Sequence, residues 1–244
     1  METELDRNSS TPLYMQLEDI IRANIADGEW PPLQMVPSEN ELSKMYGISR
    51  MTARSVITTL VKEGLLYRVQ GKGTYVAEPK ISTKSPAYLG LREQLESQGY
   101  ATETRIITFE LIRPNRKIAQ ALSIPQSTKV YHIKRVRSIS ETPISIHESY
   151  IPNSLCPDLR ADRIETEQLC DILESDYHLN ASRVHEILES VSPTSEEMSL
   201  LKIDKKNPLL LLYDTNYSIT GKPFEYSKIV FRGDKLKLEF DYER

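Results

Sequence analysis

Pro37-Ser38-Glu39-Asn40-Glu41-Leu42, followed shortly by Ser49-Arg50-Met51-Thr52-Ala53-Arg54, decides how this 244-residue chain is read. Each stretch opens on a serine able to accept a hydrogen bond from a backbone amide at a helix start. In the first, Glu41 stands three residues after Ser38, the spacing at which a carboxylate reaches back to the cap amide. The short helix that follows carries Leu42 and Met45 inward and ends near Tyr46-Gly47. In the second, Ser49 precedes a helix with Ala53, Val56, Ile57, Leu60 and Val61 on its inner face. Arg50, Met51, Arg54, Ser55 and Thr58 form its outer face, and Gly64 stops it. Two helices joined by Gly47-Ile48 have the spacing of a helix-turn-helix whose second member is the recognition helix.

The flanks extend this pattern. Upstream, Leu13, Leu17, Ile20, Ile21 and Ile25 recur at helical spacing, predicting a helix over about 12–27 before the stop at Gly28. Downstream, Leu65 to Val69 and Thr74 to Val76 read as strands around the tip Gln70-Gly71-Lys72-Gly73. Arg50 and Arg54 lie one turn apart on one face and can enter a major groove together, where an arginine bonds guanine O6 and N7. Ser49 and Thr52 suit phosphate. Gly71 and Gly73 let the hairpin backbone approach a phosphate or a narrow groove closely, with Lys72 supplying charge. From Lys44 to Lys72 six basic residues face the single acid Glu63, a net +5 in a chain of net charge −4. A polyanion therefore meets one attractive face on an otherwise repelling molecule.

Pro12-Leu13-Tyr14-Met15-Gln16-Leu17, the two serine-led stretches, Glu63-Gly64-Leu65-Leu66 and Gln70-Gly71-Lys72-Gly73-Thr74-Tyr75-Val76 together resemble the GntR family of bacterial transcription regulators. Leu33 stands where that family usually has Gly, and Ala53 where it usually has Val. The resemblance implies a winged helix-turn-helix binding double-stranded operator DNA, an inverted repeat, as a homodimer. Its DNA contacts would come from Ser38, Ser49, Arg50, Thr52, Arg54, Gly71, Lys72 and Gly73.

Residues 79–87, polar with a proline near each end, read as a linker between a DNA-binding domain at 1–78 and a second domain at 88–244. There, helices are predicted at about 88–98, 116–122, 165–177 and 195–200. Strands are predicted at 128–139, 144–151 and 181–191, and from 209 through 240 with breaks at Thr220-Gly221-Lys222-Pro223 and Arg232-Gly233-Asp234. Successive antiparallel strands with a few helices make this half α+β. Lys134-Arg135-Val136-Arg137, Pro143-Ile144, Glu148-Ser149-Tyr150-Ile151-Pro152, Pro223-Phe224-Glu225-Tyr226 and Arg232-Gly233-Asp234 resemble the HutC-type effector domain, called UTRA. Its fold is similar to chorismate lyase.

Arg135 and Arg137, two apart on a strand, point to one face and repel unless an anion or carboxylate lies between them. Pairing with Glu148 or Glu225, or plain solvent exposure, would satisfy them without a ligand. Capture of a phosphate or carboxylate on a small effector would satisfy them functionally. The resemblance implies the latter, with an anionic effector, a sugar phosphate or similar, held by the helix start at Leu89 and Gly90 and by Arg135 and Arg137. Glu148, Glu225 and Tyr226 would complete the site. Two departures bear on ligand identity: Arg92 where relatives place Ser or Thr, and Gln168-Leu169-Cys170 where many have Ser-Leu-Tyr.

Apolar residues at 39% and charged residues at 27% suit a soluble protein able to bury a core. The longest apolar run, Leu209 to Tyr213, is too short to cross a bilayer. An acidic start without a signal-peptide core, and only two cysteines, predict a cytoplasmic protein without disulfides. His132, His147, His178 and His185 show no metal-binding spacing, and Walker-loop and nucleophile-elbow motifs are missing from the sequence. No cofactor and no catalysis are therefore expected. The alternative is an enzyme acting on a small organic acid through a lyase-like fold, with an accessory DNA-binding module.

Overall fold

The computed structural model describes residues 4–86 and 90–241. The chain forms two compact units that divide between Pro79 and Lys80.

The first unit contains α1 (Leu13–Ala26), α2 (Glu39–Tyr46), α3 (Arg50–Lys62) and the antiparallel hairpin β1 (Leu66–Val69) and β2 (Gly73–Val76). The predicted capping box is present: Ser38 Oγ accepts from the Glu41 amide at 3.3 Å, and the Glu41 carboxylate accepts from the Ser38 amide at 2.8 Å. Gly47 ends α2 at φ +62°, a left-handed conformation that fits glycine, and its carbonyl accepts from Arg7 at 2.7 Å. The inner faces of the three helices close over Leu17, Ile21, Leu42, Val56, Ile57 and Leu60, and Leu66 and Val76 join them from the hairpin. Ser38→Ala strips the acceptor from the start of α2. It should destabilise this unit by about 1 kcal/mol, read as a lower thermal midpoint.

The second unit runs β3 (Ile81–Thr83), α4 (Leu91–Ser97), β4 (Thr102–Ile112), α5 (Arg116–Ala121), β5 (Val130–Ile139), β6 (Thr142–Pro152), α6 (Ala161–Thr166), α7 (Leu169–Tyr177), β7 (Arg183–Val191), α8 (Ser195–Leu201), β8 (Leu209–Tyr217), β9 (Pro223–Arg232) and β10 (Leu236–Leu238). Six strands form an antiparallel sheet in the order β4-β5-β6-β9-β8-β7. On one face, α6 and α7 pack Ile164, Leu169, Ile172 and Leu173 against Tyr131, Ile133, Ile151 and Phe224. Beside them Leu91 and Leu95 of α4 pack against Leu212, Ile229 and Phe231. The opposite face is covered by α5 and α8, through Ile118 against Val130 and Tyr226 and through Leu201 against Val136 and Val230.

Four sequence expectations need correction. Residues 79–87 are not a free tether throughout, because Ile81–Thr83 is a strand paired in parallel with β10 at the far end of the chain. A three-residue polar strand with so distant a partner leaves no local signature. Strand β4 went unread because a register shift between Ile106 and Thr108 breaks its period-two pattern. The single helix expected at 165–177 is two, separated by extended Glu167 and Gln168. Finally, α4 starts only after Gly90, and Tyr88 and Leu89 lie outside the described residues.

Candidate nucleic-acid interface and ligand cavity

Ser49 caps α3, its Oγ accepting from the Thr52 amide at 3.0 Å and lying 2.8 Å from Thr52 Oγ1. This fixes the first turn from which Arg50 and, one turn on, Arg54 project into solvent. Neither arginine makes an ion pair among the described residues. The neighbouring bases behave differently. Arg68 on β1 donates to Glu39 and Thr58, and Arg22 is bound by Glu18 and Glu63. The fold thus consumes Arg68 and Arg22 while leaving Arg50 and Arg54 free for an external anion. Met51 lies between them, 70% exposed, an apolar contact of the kind that suits a thymine methyl. At the hairpin tip Gly71 and Gly73 adopt φ of +74° and +147°, which non-glycine residues avoid, and Lys72 is exposed between them. Ser38 is exposed as well, but its side chain is engaged in capping α2.

In the second unit, α4 on one side and α7 on the other leave a cavity of about 500 Å³ over the middle of the sheet. Its floor follows from strand register. Arg135 pairs across β6 with His147, which pairs across β9 with Ile229. One row along, Ser149, Ser227 and Asp214 stand side by side on three successive strands. Arg137, Glu225, Asn216 and Gln168 add to the polar lining, together with Glu93, Asp171, Glu174 and Asn180, and Gly90 lines the cavity as well. A Cβ at Gly90 would meet the carboxamide end of the Gln168 side chain. Glu225, two residues before Ser227 on β9, shares its face by ordinary alternation, and Phe224, unpaired between the Asn216–Glu225 and Tyr217–Pro223 pairs, lines the cavity as well.

Arg135 and Arg137 are 7% and 5% exposed. Arg135 donates to Ser149 Oγ at 3.1 Å, but its Nε has no partner, and neither do Nε and Nη1 of Arg137. Burial first, and the neighbouring Arg135 charge second, push the Arg137 guanidinium down to about 9. Burial lowers Arg135 as well, against the pull of Glu225. His147 is driven well below its ordinary range by burial and then by both arginines, and so is neutral, with Nε2 3.0 Å from Ser145 Oγ. Across the cavity the balance reverses. Burial, then the charges of Glu186 and Glu225, push the Asp214 carboxyl up to about 8. Its Oδ2 accepts from Ser227 Oγ at 3.2 Å, while Oδ1 has no partner.

This makes a pH prediction with a defined sign. Between pH near 4, the ordinary range of the unfolded carboxyl, and about 8, the folded chain keeps an Asp214 proton that the unfolded chain has released. Stability therefore falls as pH rises through that window. Asp214→Asn, which cannot ionise, should gain stability over the natural chain steadily from pH 5 to 8. Melting both proteins across the range checks this, and a difference independent of pH would exclude a buried neutral carboxyl.

Two residues expected here are elsewhere. Glu148 points through the opposite face, where His132 Nε2 lies 2.7 Å from its carboxylate and Tyr150 donates at 2.9 Å. Burial pushes that carboxyl up, but these bonds and the Lys134 charge outweigh it and hold it at about 2. Tyr226 also faces away, stacked on Tyr150 and Tyr213. The reason is parity: Arg135 is level with His147, so the neighbouring Glu148 emerges on the other side. Neither Glu148 nor Glu225 hydrogen-bonds the arginines. Leu89 lies outside the described residues, and Arg92 is bound to Glu96 and to the Thr166 carbonyl rather than to the cavity. Sequence reading missed His147, Ser149, Asp214, Asn216 and Ser227. Alternation on β6 opposite Arg135 could have found the first two.

Residues 13–76 match the bacterial regulatory proteins of the gntR family, and residues 97–237 match the UTRA domain. The HTH-type transcriptional repressor NagR of Bacillus subtilis (strain 168) is 34% identical over 95% of each chain. The mannosyl-D-glycerate transport/metabolism system repressor MngR of Escherichia coli (strain K12) is 31% identical over 96% of this chain and 97% of that one. PhnF from Mycobacterium smegmatis shares the fold at a TM-score of 0.65 and 21% identity, covering 94% of this chain and 98% of its own. An N-terminal winged helix-turn-helix followed by a UTRA domain is the HutC-type arrangement, and the chain belongs to the GntR family of bacterial transcription regulators.

Proposed function

We propose that the protein is a repressor that binds an inverted-repeat operator as a homodimer and releases it when a small anionic metabolite, a sugar phosphate or similar, enters the cavity of the second unit. The observation that carries this reading is the pair Arg135 and Arg137: two buried guanidiniums with three unpartnered nitrogens lining one cavity. A buried cation without a partner is costly, and an incoming oxyanion removes that cost. The free outer face of α3 supports the operator half of the reading, as do the relatives named as repressors. Ser145, the hydroxyl beside His147, is not among the cavity residues, and burial pushes the Cys170 thiol that does line the cavity up to about 12. This favours a sensor over an enzyme.

The test is a thermal-shift screen of the full chain against phosphorylated sugars and small organic acids, followed by DNA-binding titrations on an operator selected from random duplexes. A ligand at a hundred times its dissociation constant should stabilise the protein by about 2.7 kcal/mol. The same ligand should weaken operator binding, with no turnover of the ligand. Sedimentation should give a dimer at micromolar concentration. A hit that is consumed, or a monomer on operator DNA, overturns the proposal.

A further inference from the structure

The first unit holds a segment that the operator reading does not use. Residues 4–11 lie upstream of the family match at 13–76 and are folded onto the helices. Gln16 of α1 staples them there. Its Oε1 accepts from the Asp6 amide at 2.8 Å, and its Nε2 donates to the carbonyls of Asp6 at 2.9 Å and Thr11 at 2.7 Å. Leu5 packs against the core of the unit. The staple delivers Arg7 to the turn between α2 and α3, where Nη2 donates to the Gly47 carbonyl and most of the guanidinium donors stay uncommitted. Ser43 holds the same turn, its Oγ donating to the Ile48 carbonyl at 2.7 Å. Arg7 and Lys44 line one cavity of about 420 Å³, in which Glu4 is the single carboxylate. Both cations are exposed, and neither makes an ion pair among the described residues. Asp6, the other acid of the segment, is committed to the Asn8 amide at 2.8 Å.

Gly47 stands two residues before Ser49, the cap of α3, and two residues of chain span at most roughly 7 Å. In a helix-turn-helix the first helix crosses the DNA backbone and the second enters the groove, so the turn joining them passes over the strand that borders the groove. We propose that residues 4–11 form a further DNA-contacting arm: Arg7, seated on the Gly47 carbonyl, and Lys44 bind backbone phosphates at the edge of the groove entered by α3. This rests on reading α3 as the recognition helix. The Gly47 carbonyl lies at the negative end of α2, which holds the guanidinium in place before DNA arrives. A cation already held loses less freedom on binding. Its contact carries charge without base information, so it strengthens binding to any duplex.

The experiment measures the affinity of the full chain for a selected operator and for a random duplex across a salt series. Arg7→Gln and Lys44→Gln should each weaken both duplexes alike, by about two- to fivefold per bound module, the worth of an exposed ion pair. Each should also lower the salt slope by about one phosphate contact per module. Arg7→Lys, which keeps the charge, should restore the slope. Melting each variant alongside establishes that it folds. An unchanged slope in Arg7→Gln overturns the arm contact; if affinity then falls together with the melting midpoint, Arg7 only braces the turn. A loss confined to the operator, with random duplex bound as before, overturns it as well. Arg50→Ala and Arg54→Ala, run beside these, separate the two readings. Selectivity lost there, with the slope of Arg7→Gln unchanged, leaves α3 as the recognition helix and removes the arm. Selectivity kept in both overturns the α3 reading and the placement of the arm beside it.

Discussion

An Arg137→Met protein is expected to melt above the natural chain while losing its response to effector. Arg137 is 5% exposed, two of its three guanidinium nitrogens lack partners, and burial with Arg135 alongside drags it to about 9. Such a charge works against the ligand-free fold. Replacing buried ionic groups by apolar residues of similar volume commonly stabilises a protein by about 1–4 kcal/mol. Methionine has nearly the length and flexibility of the arginine stem and can fill the space. The same change removes one guanidinium from the anion, and truncating one partner of a buried charge pair costs about 2–5 kcal/mol, thirty- to several-thousandfold in affinity. Melting without effector and titration with effector therefore move in opposite directions. Were Arg137 a structural partner within the fold, both would fall together. Arg135→Ala is the milder companion. It gives up the Ser149 hydrogen bond as well as the anion contact, so its melting point should change less while the effector response is still lost.

The first unit was almost fully legible in the sequence because its determinants are local. Ser38 and Glu41, Ser49 and Thr52, and Gly47 and Gly71 act within four residues, and the apolar period of α3 shows its buried face without reference to another segment. The second unit depends on which residues come level across strands far apart in sequence. Arg135 and Arg137 were found because their own alternation sufficed. Glu148 was misplaced by one position because its face is set by pairing with β5, not by its own neighbours. Asp214 and Ser227 carried no signal until β8 and β9 were in register, whereas Glu225 follows Ser227 by simple alternation on β9. Resemblance gave the right strands, and register then decided which side chains share a cavity.

Arg54→Ala should reduce operator affinity far more than affinity for random duplex, and Lys72→Ala should lower both alike. The difference comes from where each charge is held. Arg54 sits on the exposed face of a helix whose start is fixed by Ser49 and whose inner face, Ala53, Val56 and Ile57, is fully packed. Its backbone is thus set to within little freedom, which an arginine needs to meet O6 and N7 of one guanine simultaneously. Losing such a contact costs about 1–3 kcal/mol at each half-site, so a two-fold dimer loses about twice that. Arg50, in the first turn of the same face, should behave similarly. Lys72 instead rides on a two-strand hairpin tip between glycines, where a flexible ammonium meets phosphate or groove shape and carries no base information. Titrating selected operator and random duplex at one salt concentration gives the ratio for each variant. Its salt slope should also fall for Lys72→Ala by about one phosphate contact per bound module. If operator affinity were unchanged in both the Arg50 and Arg54 variants, base reading would have to lie elsewhere than α3. The free guanidiniums, the cap and the packed inner face would then serve only solubility, a role that calls for no such fixed geometry.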